Sequence, residues 1–86
     1  MRIILHRNFE KRLKKLQRPI QEAYKTRRDL FLENPFHPAL NNHSVEKRFP
    51  GCRSINVTGD YRVIYEPIED DVAYFIKIGT HSELYG

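Results

Sequence analysis

The stretch Arg53-Ser54-Ile55-Asn56-Val57-Thr58-Gly59-Asp60-Tyr61-Arg62-Val63-Ile64-Tyr65-Glu66 decides the fold. Ile55 and Val57 alternate with Ser54, Asn56 and Thr58, and after Gly59-Asp60 an extended pattern resumes from Tyr61 to Glu66. This pattern predicts a β-hairpin. With Gly59 and Asp60 as a two-residue turn, Thr58 lies opposite Tyr61, Asn56 opposite Val63, Ser54 opposite Tyr65 and Arg53 opposite Glu66. Paired residues share a face, so Asn56 and Tyr61 fall on one side and Arg53 and Arg62 on the other.

Downstream, Glu69-Asp70-Asp71 makes a turn, and Val72 to Ile78, apolar on both parities, predicts a central strand covered on two sides. Upstream, Arg2-Ile3-Ile4-Leu5-His6 is a β-branched run that predicts a first strand. Asn8 then caps a helix in which Phe9, Leu13 and Leu16 recur at helical spacing. Pro19 interrupts that pattern, and Ile20, Ala23, Tyr24, Arg27, Leu30 and Phe31 renew it as a second helix, closed by Asn34-Pro35. So short a connection makes the two helices antiparallel. Residues 35–50 hold three prolines and the polar run Asn41-Asn42-His43-Ser44 without either period, which predicts loop. The order is strand, helix, helix, strand, strand, strand, an α+β fold in a single domain over residues 1–86.

A chain of 86 residues buries roughly 60–65% of its extended surface, enough for one modest core. The lone Cys52 has no disulfide partner in the chain, no cysteine pair proposes a zinc site, and no leader or long apolar span is visible. A reduced, soluble, cytoplasmic protein is expected. The net charge of +4 hides an asymmetry: residues 7–28 hold nine Lys or Arg against Glu10 and Glu22, giving +7 there and −3 elsewhere. Such a block suits a polyanion, because each neutralised phosphate releases counterions. A solvated helix face explains it equally well.

His43, Asp60, His81 and Tyr85 lie outside the core pattern and are the candidate chemical groups. Imidazole suits proton transfer near neutral pH. Asp60 is also ordinary turn chemistry beside Gly59, and Tyr61 and Tyr85 also suit a core edge, though Tyr85 beside a terminal Gly86 fits deep core poorly. Arg53 and Arg62 have the chemistry to clamp a phosphate bidentately. The hairpin register instead gives Arg53 an ion pair with Glu66, the preferred reading for that residue. A zinc site from His37, His43 and His81 has no supporting ligand spacing.

The segments Phe9-Glu10-Lys11-Arg12-Leu13-Lys14-Lys15-Leu16, Asn42-His43, Gly51-Cys52-Arg53, Gly59-Asp60-Tyr61-Arg62-Val63-Ile64-Tyr65 and Ile78-Gly79-Thr80-His81-Ser82-Glu83-Leu84-Tyr85-Gly86 resemble, in order and spacing, the RelE/ParE toxin superfamily. Within it they resemble the YafQ-like mRNA interferases of type II toxin–antitoxin systems. The resemblance covers the whole chain. It implies that His43 matches a catalytic histidine, Asp60 the hairpin-turn aspartate, His81 the histidine of a Gly-Thr-His motif, and Tyr85 a terminal aromatic. Tyr61 stands where an aromatic follows the aspartate, and Asn56 stands where another histidine is frequent. Asparagine hydrogen-bonds a phosphate or base but transfers no proton at neutral pH.

The implied reaction is metal-independent cleavage of mRNA in the ribosomal A site, by attack of a ribose 2′-hydroxyl on the adjacent phosphorus. His43 and His81 are the implied acid–base pair, and sequence does not say which is which. Asn56, Tyr61, Arg62 and Arg53 are the implied substrate-binding residues. Lys11, Arg12, Lys14, Lys15 and Arg18 are the implied grip on ribosomal RNA. No cofactor is implied. The implied partners are the 70S ribosome with its mRNA and a cognate antitoxin protein, with DNA reached only through the antitoxin and no membrane. Two alternatives share the fold: a ParE-like inhibitor of DNA gyrase without nuclease activity, and a catalytically weakened antitoxin-binding subunit. ParE relatives lack the histidine set, so His43 and the Gly-Thr-His81 motif favour the nuclease.

Overall fold

The computed structural model describes all 86 residues. A five-stranded sheet runs in the order β1-β5-β4-β3-β2, with β1 (Arg2–Leu5), β2 (His43–Ser44), β3 (Arg53–Asn56), β4 (Tyr61–Glu69) and β5 (Val72–Thr80). Only the β1–β5 pair is parallel; the other three pairs are antiparallel. Helices α1 (Arg7–Lys15) and α2 (Arg18–Glu33) connect β1 to the rest, and α3 (His81–Tyr85) follows β5 directly. The predicted α+β architecture is thus present, with three additions: a 3-10 turn at Pro38–Leu40, the two-residue β2 and the five-residue α3. No helix is long and apolar enough to cross a membrane.

The helix starts follow local hydrogen bonding. The Nδ1 of His6 accepts the Asn8 N–H at 2.9 Å, so His6 rather than Asn8 caps α1. Pro19 sits in the first turn of α2, where its missing N–H costs nothing. The Gln21 side chain donates to the carbonyls of Leu13 and Leu16 at 3.0 and 2.9 Å, closing the end of α1 onto the start of α2.

One face of the sheet packs on α1 and α2. Phe9, Tyr24 and Phe31 from the helices and Leu16 just after α1 meet Ile55, Val63, Tyr65, Ala73, Phe75 and Ile78 from the strands and Val57 just after β3. Phe75 is its centre, with ring centroids at 5.4–6.4 Å from Phe9, Tyr24, Phe31 and Tyr65. Edge-on contacts dominate, the arrangement aromatic quadrupoles favour. The other face carries a smaller cluster of Cys52, Ile64 and Leu84, with Phe49, Ile76 and Tyr85 against it. β5 is therefore covered on both sides, as its two-parity apolar pattern predicted.

Burial in this core, opposed only in part by the nearby Arg28 charge, pushes the Tyr24 phenol up to about 12. The folded state then holds the Tyr24 proton where the unfolded chain releases it. Stability from this group is complete below pH 10 and falls as pH rises towards 12. In alkaline denaturation curves Tyr24→Phe is expected to flatten this fall, and an unchanged slope would contradict it.

The hairpin register differs from the predicted one by a single residue. Asn56 pairs with Arg62, Ile55 with Val63, Ser54 with Ile64 and Arg53 with Tyr65. The turn is longer than Gly59-Asp60 alone, because the Thr58 hydroxyl accepts the N–H groups of Asp60 and Tyr61 at 3.2 and 3.0 Å. Asn56 and Arg62 now share a face, whereas Tyr61 packs on the helix side. Arg53 has no Glu66 opposite it. Its Nε donates to Asn42 Oδ1 at 2.7 Å and its guanidinium lies 5.3 Å from the Phe36 ring centre.

Candidate active site

Two short segments bring the polar groups together. In the first, Asn42 is held by three partners: its Nδ2 donates to the Pro35 carbonyl at 2.9 Å and to the Tyr65 hydroxyl at 2.8 Å, and its Oδ1 accepts from Arg53. Asn41 beside it adopts the left-handed conformation (φ 46°), one that asparagine tolerates better than most residues. These two residues deliver His43 to the end of the sheet, directly opposite Ser54 on β3.

His43 is exposed, and its Nδ1 lies 2.8 Å from the Asn41 carbonyl oxygen. A carbonyl only accepts, so Nδ1 carries the hydrogen and the neutral ring keeps its lone pair on Nε2. The tautomer follows from that one contact.

The second segment is α3. Thr80 and Glu83 form a capping box: the Thr80 hydroxyl accepts the Glu83 N–H at 3.1 Å, and Glu83 Oε1 accepts the Thr80 N–H at 2.8 Å. The Thr80 backbone bond, aided by the Arg12 guanidinium, holds the Glu83 carboxyl below the usual carboxylate range. Its contribution is present above the unfolded pKa and is lost as pH falls through the folded value. Thr80→Ala removes the cap and is expected to cost about 1 kcal/mol. Thermal melts measure this, and an unchanged midpoint would show that α3 is held by its other contacts.

Asp60 meets the same helix. Its carbonyl and its Oδ1 both accept the His81 backbone N–H, at 3.1 and 3.3 Å. The carboxylate thus holds the start of α3 and not the imidazole. Arg48 Nε donates to the Leu84 carbonyl at 3.1 Å at the other end, and Phe49 packs edge-on against Tyr85. His81 and Tyr85, four residues apart on one helix, bring their rings to 4.8 Å.

A cleft of about 370 Å³ lies between these segments, lined by Asn41, His43, Ser44, Val45, Ser54, Arg62, His81 and Tyr85. Three of the four residues singled out as chemical groups, His43, His81 and Tyr85, line it, and Arg62 joins them. Arg62 is half-buried and donates through one guanidinium nitrogen to the Thr58 and Tyr61 carbonyls. Asp60, Tyr61 and Arg53 do not line the cleft. Asn56 lies on the Arg62 face, and its Oδ1 is buried without a hydrogen-bond partner.

Ser54 and α3 are features that sequence reading passed over. Thr80-His81-Ser82-Glu83 is a capping-box pattern, so α3 had a signal. Ser54 had none, because a serine in an alternating strand reads as solvent-facing, and here it is 1% exposed. No three His, Cys, Asp or Glu side chains gather at metal-binding geometry, His37, His43 and His81 included.

The basic block lies along α1 and α2. Lys11, Lys14, Lys15 and Arg18 are exposed, but Arg12 is paired with Glu83. That ion pair joins α1 to α3.

No curated protein matches the sequence. The solved structure of YafQ from E. coli strain BL21(DE3) superposes with a TM-score of 0.80 at 25% identity, covering 100% of each chain. The E. coli DinJ-YafQ toxin-antitoxin complex matches with a TM-score of 0.78 at 24% identity, over 98% of this chain and 96% of that one. The RelB-RelE antitoxin-toxin complex from Methanococcus jannaschii matches in fold, with a TM-score of 0.73 at 18% identity over 95% and 94% of the two chains. A family profile described as the ParE toxin of the type II toxin-antitoxin system parDE matches residues 3–85. With that profile spanning nearly its whole length, the chain belongs to the ParE toxin family of type II toxin–antitoxin systems, within the RelE/ParE superfamily and with a YafQ-like fold.

Proposed function

We propose that this toxin is a ribosome-dependent endoribonuclease that cleaves mRNA in the A site. The observation that carries the reading is the convergence of His43, Arg62, His81 and Tyr85 on one cleft from three separate elements. His43 Nε2 takes the proton of a ribose 2′-hydroxyl, whose oxygen attacks the adjacent phosphorus. His81 gives a proton to the departing 5′-oxygen as the P–O5′ bond breaks. The products are a 2′,3′-cyclic phosphate and a 5′-hydroxyl, and no water is consumed.

The hydrogen bond from His43 Nδ1 to Asn41 favours His43 as base, since it leaves Nε2 unprotonated in the neutral ring. Each proton transfer is worth about 10²–10⁴-fold. Arg62 offsets phosphorane charge, and Tyr85 offers a stacking face for a base. Asp60 acts by holding α3, with Asn56 and Tyr61 beside the hairpin turn. Arg53 contributes by fixing Asn42, and through it the His43 segment. Lys11, Lys14, Lys15 and Arg18 are the contacts for ribosomal RNA. The ribosome positions the message, so isolated RNA is a poor substrate. The reaction draws on side chains of this chain alone, in the cytoplasm where ribosomes are.

The partner is a cognate antitoxin, as for the DinJ-YafQ and RelB-RelE structures. A groove of about 680 Å³ between β1, α1 and α2 has an apolar lining of Leu13, Tyr24 and Leu32 and a basic rim of Lys14, Lys25 and Arg28. It suits an acidic, apolar antitoxin segment. Contact with DNA then runs through the antitoxin.

A second reading, inhibition of DNA gyrase, is favoured by the ParE profile itself. Adding the protein to programmed ribosomes with primer extension, beside a gyrase supercoiling assay, separates the two. Codon-phased mRNA ends with normal supercoiling support the nuclease; intact mRNA with blocked supercoiling supports the gyrase reading.

A further inference from the structure

Ser54 is 1% exposed, yet its Oγ has no hydrogen-bond partner. A buried hydroxyl left unpaired lowers stability, and such groups are rare in native proteins. This one lines the cleft and sits directly across the β2–β3 pair from His43. Directly opposed residues share a face, with Cβ atoms about 4.5–5.5 Å apart, so the hydroxyl and the imidazole belong to the same part of the cleft.

We propose that the Ser54 hydroxyl donates a hydrogen bond to the ribose 2′-oxygen of the nucleotide being cut. The inference rests on the nuclease reading and deepens it, because it names the group that recognises ribose at the base's side. His43 takes the 2′ proton through Nε2, and the oxygen left behind gains charge that Ser54 is placed to stabilise. A hydroxyl that costs the empty protein stability is thereby satisfied in the substrate complex, a trade-off common at functional sites.

The test uses a His81→Ala background, so that the message stays intact, and ribosomes carrying either an all-ribose A-site codon or the same codon with a 2′-deoxy scissile nucleotide. With Ser54 present the ribose codon is expected to bind about 3–10-fold more tightly, the size of one hydrogen bond. Adding Ser54→Ala is expected to cut that preference at least threefold, to about unity at the low end, and to raise the Tm by about 4–8 °C by removing the unpaired hydroxyl. A ribose preference that survives Ser54→Ala, or is absent in both proteins, overturns the contact while leaving the ribosomal reading intact. A fall in Tm would show a structural hydroxyl and overturn it too. Failure to bind ribosomes with either codon overturns both.

Discussion

His81→Ala is expected to lower the single-turnover rate of mRNA cleavage on programmed ribosomes by about 10²–10⁴-fold, the usual weight of one general acid or base. The fold should survive, because the His81 side chain is exposed and its anchoring bonds to Asp60 come from the backbone N–H. His81→Ala therefore separates chemistry from folding: unchanged circular dichroism and Tm accompany the lost cleavage. Tyr85 loses its stacking neighbour at 4.8 Å, yet it keeps Phe49 at 5.9 Å on its edge. A His43→Ala loss of similar size in rate, with less than additive loss in the double variant, identifies one acid–base unit. A rate within threefold of the parent would remove His81 from the reaction.

The second large effect is on stability. Phe75→Ala is expected to destabilise by about 3–5 kcal/mol, because a fully buried ring touching four other aromatic rings leaves a cavity the sheet cannot close. For a domain of this size that lowers Tm by roughly 15–30 °C, enough to leave an ordinary mesophile domain mostly unfolded at 37 °C. A thermal melt followed in the far ultraviolet measures it. A shift below about 5 °C would mean that the aromatic cluster does not hold the two helices on the sheet.

How much of this was legible in the sequence depended on segment length. β4 and β5 are nine residues each and α2 sixteen, long enough for a period to declare itself. β2 has two residues, and its place in the sheet comes from Asn42's hydrogen bonds to Pro35, Tyr65 and Arg53, which join segments distant in the chain. No local pattern encodes that. The hairpin was recognisable but its register was not, because the Thr58 hydroxyl enlarges a turn that Gly59-Asp60 alone would have closed. One residue of slip reverses every face.

The consequence for the site is specific. The corrected register puts Arg62 on the side of Asn56 and at the cleft, and it sends Tyr61 to the helix side. His43 and His81 were readable as unusual residues, but 38 positions apart their meeting rests on β2 pairing with β3 while α3 folds back at the end of β5. Asp60 was readable as a turn residue and as a site residue; in the structure it does not line the cleft, and its hydrogen bonds hold the start of α3. Arg12, counted with the basic surface, is engaged by Glu83 and ties that surface to the helix bearing His81.

The most direct test is the chemistry of the cut ends. Cleavage of mRNA on programmed ribosomes, followed by end analysis of the fragments, is predicted to give 5′-hydroxyl termini that accept phosphate from a polynucleotide kinase without prior dephosphorylation, paired with 2′,3′-cyclic phosphates. Fragments bearing 5′-phosphates, or a message that stays intact while the protein stops growth, would contradict the account.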